Sequence, residues 1–243
     1  MSTKKDLYVV YGAHPLIELL KAKKRKLYCL YTTREEPKLF TKVQPLLHPS
    51  CIVHHVTKEE LTRRAGSDDH QSLVGYATAP LEIRKKPFSP ETHPLLVMLD
   101  GVHDARNIGA IIRSAYCTGV DGIIITQKNS GPLNGAAIKA SAGLAEHAVI
   151  YETPTAAMAI NELKQAGYNI YLAALGGKSV NEVTFKQPAV IVIGNEGYGI
   201  SPDVLKLGTK VMLPQRSKDL SYNASVAAGI LLFIAAQQCG KLS

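Results

Sequence analysis

The sequence has 243 residues, is 46% hydrophobic and carries a formal charge of +8. That is enough apolar material for one large domain or two ordinary ones, and no run reaches the ~18 apolar residues of a membrane-spanning helix. Four cysteines without CxxC spacing and eight histidines without an HxxxH pair argue against a disulfide framework and a zinc site. The opening MSTKKDLYVV lacks the apolar core of a signal peptide, so a cytoplasmic, metal-free protein is expected. The charge is uneven: residues 1–94 hold a net +6 and residues 95–243 a net +2. This predicts a polyanion-docking module ahead of a chemical one.

In the basic part, HPLIELLKAKK (14–24) reads as a short amphipathic helix and KLYCLYTT (26–33) as a strand. EPKLFTKVQPLL (36–47) is mainly helical, with Pro45 disturbing its last turn. CIVHHV (51–56) is a strand, KEELTRRA (58–65) a helix capped by Thr57, and SLVGYATA (72–79) a strand. The sum is a small α/β domain over 1–79, with GSDDHQS (66–72) as a mobile polar loop. The KAKKRK run (21–26) is either a solvated helix end or a phosphate contact. Pro80, Pro87, Pro90 and Pro94 surround Arg84, Lys85 and Lys86, which predicts an exposed, semi-rigid linker over 80–94.

Residues 95–243 form the second predicted domain. LLVMLD (95–100), GIIIT (122–126), YNIYLAAL (168–175), AVIVIG (189–194) and KVMLP (210–214) are strands without polar alternation. Such strands belong to a parallel sheet covered on both faces, an α/β fold. Helical patterns lie around 107–119, 134–143, 155–166 and 201–207. The final helix, NASVAAGILLFIAAQQ (223–238), is too apolar for a surface helix and should lie in the core or a subunit interface.

Sheets of this kind bind ligands at the carboxyl ends of their strands. Neither GxGxxG nor GxxxxGK[ST] occurs, which argues against the classical dinucleotide and methyltransferase folds and against ATP hydrolysis. Three strand ends carry polar clusters instead. In DGVHDARNIGAIIRSA (100–115), Asn107 is a candidate cap for the following helix, and Arg113 sits in an apolar segment where it needs an ion-pair partner or a task. IVIGNEGYGIS (191–201) looks like a phosphate loop, but Glu196 would repel an anion. A cationic or hydroxyl-bearing ligand suits it better, unless Glu196 caps a helix at Ser201 or pairs with an arginine. In LPQRSKDLSYNASVA (213–227), Ser221 or Asn223 can cap the last helix, which leaves the alternation of Ser221, Asn223 and Ser225 unexplained.

Together the three segments closely resemble the signature motifs of the SpoU/TrmH-type RNA ribose 2′-O-methyltransferases of the SPOUT superfamily. Motif one is matched by Asp104, Asn107, Gly109, Arg113 and Ala115, and motif two by Gly194, Asn195, Glu196, Gly197, Gly199 and Ser201. Motif three is matched by Pro214, Ser221, Asn223, Ser225 and Ala227. YGAHPLIELLKA (11–22) is similar to the start of the auxiliary RNA-binding domain of ribosomal-protein type. The resemblance implies a trefoil-knot domain, S-adenosylmethionine as cofactor, an RNA substrate and a homodimer with the active site at its interface. It implies Arg113, Asn107, Glu196, Ser221 and Asn223 as the catalytic group, and Leu175, Gly194, Leu213 and Tyr222 as cofactor contacts. Ala105 replaces a usual proline, Ser217 a glycine and Tyr222 a leucine; none of these removes a polar group the chemistry needs.

The implied reaction is methyl transfer to a ribose 2′-OH. Free arginine has a pKa of roughly 12.5–13.8, so Arg113 is expected to stabilise the developing alkoxide or hold a phosphate rather than take a proton. The layout is most similar to the 23S rRNA guanosine 2′-O-methyltransferases. The alternatives are a tRNA guanosine enzyme, a resistance-type rRNA methyltransferase, or a non-catalytic RNA-binding or ribosome-assembly factor on the same scaffold. No membrane or DNA partner is expected.

Overall fold

The computed structural model describes residues 7–79, 81–216 and 221–242. Pro80, Ser217 and the opening residues 1–6 lie outside them. The chain forms two compact units. One comprises the chain up to Glu82 together with Leu133–His147; the other comprises Ile83–Pro132 and Ala148 onward.

The first unit contains β1 (Tyr8–Tyr11), α1 (Ala13–Ala22), β2 (Leu27–Thr32), α2 (Phe40–Val43), β3 (Ile52–His55), α3 (Lys58–Ala65) and β4 (Leu73–Ala77). Its sheet runs β1-β4-β2-β3, antiparallel except for the β2–β3 pair. Gly75 leaves room for Leu16 of α1 on one face, and Leu61 of α3 packs with Tyr11 and Val74 on the other. Thr57 caps α3, its hydroxyl accepting the Glu60 N–H at 3.3 Å. Two expectations need correction. GSDDHQS is anchored, because His70 is 1% exposed, accepts the Ser72 N–H at 2.9 Å and lies 3.1 Å from Thr62 Oγ1. Within KAKKRK, Arg25 is neither solvated nor free for phosphate. It is buried, paired with Glu146 at 2.5 Å, and donates to the Ala79 carbonyl at 2.9 Å.

The second unit begins with β5 (Ile83–Arg84), β6 (Leu95–Asp100), α4 (Ala105–Cys117) and β7 (Gly122–Thr126). The chain then returns to the first unit as α5 (Gly135–Ala140). The pattern at 134–143 is thus helical, but the helix packs in the first unit, where Gly135 lies against Tyr11 and Gly143 against Pro15. Back in the second unit come β8 (Ile150–Thr153), α6 (Ala156–Gln165), β9 (Asn169–Ser179), β10 (Ala189–Gly194), β11 (Thr209–Met212) and α7 (Ala224–Gln238).

These seven strands form one parallel sheet in the order β11-β9-β10-β6-β7-β8-β5. Every residue of β6, β7 and β10 is buried, as a sheet covered on both faces requires. Within the segment predicted as an exposed linker, the described residues from Ile83 on are built partly into the second unit. β5 pairs with β8, and Phe88 is 5% exposed in the core, where Gly122 makes room for its ring. Burying an aromatic side chain here outweighs the local preference of the prolines for an extended spacer. The pattern at 201–207 gives successive turns closed on the Ser201 and Val204 carbonyls rather than a continuous helix.

Candidate active site

The carboxyl ends of β6 and β10 lie side by side, with Asp100 in register with Gly194. This brings the first two motifs together. The glycine loop is a tight hairpin: Asn195 and Gly199 exchange backbone hydrogen bonds at 2.9 and 3.0 Å. Gly199 has φ +74°, and a Cβ on Gly194 would overlap the Gly199–Ile200 peptide, so both positions need glycine. Asn195 ties the hairpin down, donating to the Gly101 carbonyl at 2.7 Å and accepting the Gly197 N–H at 2.8 Å. Buried Asp100 fixes the far side, accepting Ser201 N–H at 2.8 Å and its hydroxyl at 3.0 Å.

Among the described residues, Glu196 neither caps a helix at Ser201 nor pairs with an arginine. Its Oε2 accepts the His103 N–H at 3.1 Å, and its Oε1 accepts the Asp104 N–H at 3.2 Å and Asn107 Nδ2 at 2.8 Å. Burial works to raise its pKa, but the donors from Asn107, His103 and Asp104 outweigh it and hold the carboxyl below the usual glutamate range. Asn107 is therefore not the helix cap; Asp104 caps α4, accepting the Arg106 N–H at 2.8 Å. Asn107, 8% exposed, links two motifs instead. Its Oδ1 accepts Asn223 Nδ2 at 3.2 Å. Asn223 in turn caps α7 through the N–H groups of Ser225 and Val226 at 2.9 and 3.3 Å, and it accepts the Ser225 hydroxyl at 2.6 Å. One hydrogen-bonded line, Asn223–Asn107–Glu196, thus joins all three motifs.

Beside this line is a cavity of about 590 Å³, within the ~300–1,000 Å³ of small-molecule sites. Leu175, Gly194, Leu213 and Tyr222 line it, as do Glu196, Ser221 and Asn223. The Tyr222 hydroxyl donates to the Pro214 carbonyl at 3.3 Å, tying together the two described ends of the third motif. The walls are apolar side chains and loop backbone, with Glu196 and Lys210 as the charged groups. A nucleoside with a zwitterionic tail fits such a lining. Arg113 does not join this group. It stands exposed on α4, is not among the cavity-lining residues, and has no hydrogen bond or ion pair to another described residue.

Sequence reasoning missed Asp100, whose position at a strand end opposite Gly194 follows only from strand register. It also missed Lys210, Met212 and Gln215 on the cavity wall. Lys210 and Met212 belong to β11, which leaves its parallel register with β9 between Lys210 and Val211.

Comparison with known proteins gives the family and the fold. Residues 94–233 match the SpoU rRNA methylase family, and residues 9–82 match the RNA 2′-O ribose methyltransferase substrate-binding family. A Mycolicibacterium gilvum protein named as an uncharacterized tRNA/rRNA methyltransferase is 30% identical over 242 residues, covering 96% of this chain and 77% of the relative. The fold is shared with an rRNA methyltransferase from Sinorhizobium meliloti, solved with S-adenosylmethionine bound. Its TM-score is 0.76 at 24% identity, over 98% of this chain and 88% of the other. It is also shared with the SpoU methyltransferase AviRb from Streptomyces viridochromogenes in complex with the same cofactor. There the TM-score is 0.79 at 21% identity, over 96% and 90%. The parallel sheet is the one these methyltransferase structures share. The chain belongs to the SpoU rRNA methylase family.

Proposed function

We propose that the protein methylates a ribose 2′-OH of RNA, most specifically a guanosine of 23S rRNA, and that it works as a homodimer. The observation that carries the reading is the Asn223–Asn107–Glu196 line beside a nucleoside-sized cavity. A first unit that matches the 2′-O-methyltransferase substrate-binding family supports it. When bound, S-adenosylmethionine supplies an electrophilic methyl group on a sulfonium sulfur. Leu175, Gly194, Leu213 and Tyr222 would hold it.

The remaining chemistry belongs to the protein. Glu196 is ionised at neutral pH, and its lowered pKa makes it a poor base. Its task is to orient: it fixes the 103–104 loop and the Asn107 amide, and it can accept one further hydrogen bond from the ribose or a guanidinium. Ser221 and Asn223 position the ribose from the other side. Arg113 stabilises the developing alkoxide, and its exposed placement in one protomer is accounted for if it serves the cavity of a second copy. Apolar surface for such a pairing is present: Val226, Ile230 and Phe233 on α7 are 49%, 37% and 53% exposed, and Tyr116 on α4 is 47% exposed. Mapping ribose methylation across rRNA and tRNA, with and without the protein, tests the reading. Loss of a single 23S site is expected, and loss of a tRNA site alone would replace the 23S assignment.

A further inference from the structure

One face of the first sheet is only half covered. Strand register sets two rows across it, Tyr11–Val74–Tyr31–His54 and Val9–Tyr76–Cys29–Ile52. α3 packs over the β1–β4 half, where Leu61 is fully buried against Tyr11 and Val74. Over the β2–β3 half the cover ends. Ile52 is 51% exposed, His54 is exposed, and Tyr31 and Tyr76 are half-buried.

The side chains there are already stacked. The His54 and Tyr31 rings lie parallel, with centroids 4.6 Å apart and planes at 18°. Tyr76 meets Tyr31 edge-on at 5.7 Å, and the Arg64 guanidinium carbon sits 3.9 Å from the Tyr31 ring centre. Glu60 pairs with both Arg64 and Arg63, and Glu36 with His55, so the rim carries both signs. The basic excess of residues 1–94 nevertheless favours a polyanion over an acidic or apolar protein. A pre-ordered aromatic pair on an open sheet face, with a guanidinium held at its ring, is the arrangement that accepts an unpaired base, because every base has a flat π-face.

We propose that His54, stacked on Tyr31 and backed by Arg64, is a platform for an unpaired base of the substrate RNA. The proposal rests on the reading of the chain as an RNA-modifying enzyme and specifies how the first unit engages that RNA: through single-stranded rather than duplex segments.

Fluorescence anisotropy with a short labelled single-stranded RNA, and with the same sequence as a duplex, tests this on the full chain. His54→Ala should weaken single-strand binding about tenfold and leave duplex binding unchanged. His54→Tyr, which keeps a flat ring, should remain close to wild type. The proposal falls if His54→Ala binds single strands like wild type, if it weakens duplex binding equally, or if His54→Tyr is as weak as His54→Ala. Methyl transfer to total rRNA and total tRNA by the same wild-type preparation separates the two levels. Transfer with an unaffected His54→Ala removes the platform alone; absence of transfer removes the underlying enzymatic reading.

Discussion

Asn107 makes its two side-chain hydrogen bonds in opposite senses, donating to Glu196 and accepting from Asn223. Asn107→Asp cannot do both, and it sets a second carboxylate against Glu196. Methyl transfer is expected to fall by about 10²–10³, the scale of losing a polar group aimed at developing charge; rates under single-turnover conditions check this. Arg113→Ala should lose a similar factor while S-adenosylmethionine binding, followed by calorimetry, stays near wild type. Near-normal turnover would remove Arg113 from the chemistry. Glu196 also predicts a pH dependence. Its folded pKa is lowered, so its stabilising contribution is complete above the usual glutamate value of 4.5 and is lost as pH falls through the lower folded value. Denaturant titrations at stepped acidic pH should show this loss in wild type, and Glu196→Gln should lack it. These residues were legible in the sequence because three polar clusters stood at three strand ends. Their partners were not: Glu196 meets two backbone N–H groups, and no side-chain pattern announces a backbone donor.

At the scale of elements, the strands buried on both faces were plain from continuous apolar runs. The short strands β1, β5 and β8 were not, because they owe their pairing to neighbours far along the chain. The glycine hairpin shows what an element can demand of one position. Gly194→Ala should push a methyl group into the Gly199–Ile200 peptide. The expected cost is about 1–3 kcal/mol of stability, with weakened cofactor binding, measurable by thermal shift with and without S-adenosylmethionine. α7 illustrates a different limit. Its over-apolar sequence predicted burial in the core or an interface, and the structure divides it: Leu231, Leu232 and Ala235 are buried, Val226, Ile230 and Phe233 exposed.

For the whole molecule, the exposed α7 stripe bears on assembly. Phe233→Glu would place a charge in the proposed subunit interface while leaving the fold of one protomer intact. Sedimentation should show monomer, and methyl transfer should fail with it, since Arg113 would then lack the cavity it serves. An unchanged sedimentation coefficient would move the interface elsewhere. The division into two units was only partly legible. Charge asymmetry set the basic third apart, but α5 has an ordinary helical pattern, and periodicity cannot say which unit a helix packs in. That choice is made by contacts such as Gly135 on Tyr11 and the Arg25–Glu146 pair.

The return of Leu133–His147 to the first unit has an evolutionary side. The chain passes between the units at three points, near residues 82, 132 and 147, rather than once. A recombination event with its breakpoint near residue 82 would inherit the first unit without its own α5, and Arg25 without Glu146. A buried guanidinium stripped of its partner costs about 3–5 kcal/mol, a large share of a domain's stability. Exchange of the first unit with that of a relative is therefore expected to keep its stability only when both segments travel together, and thermal melts of such chimaeras check this.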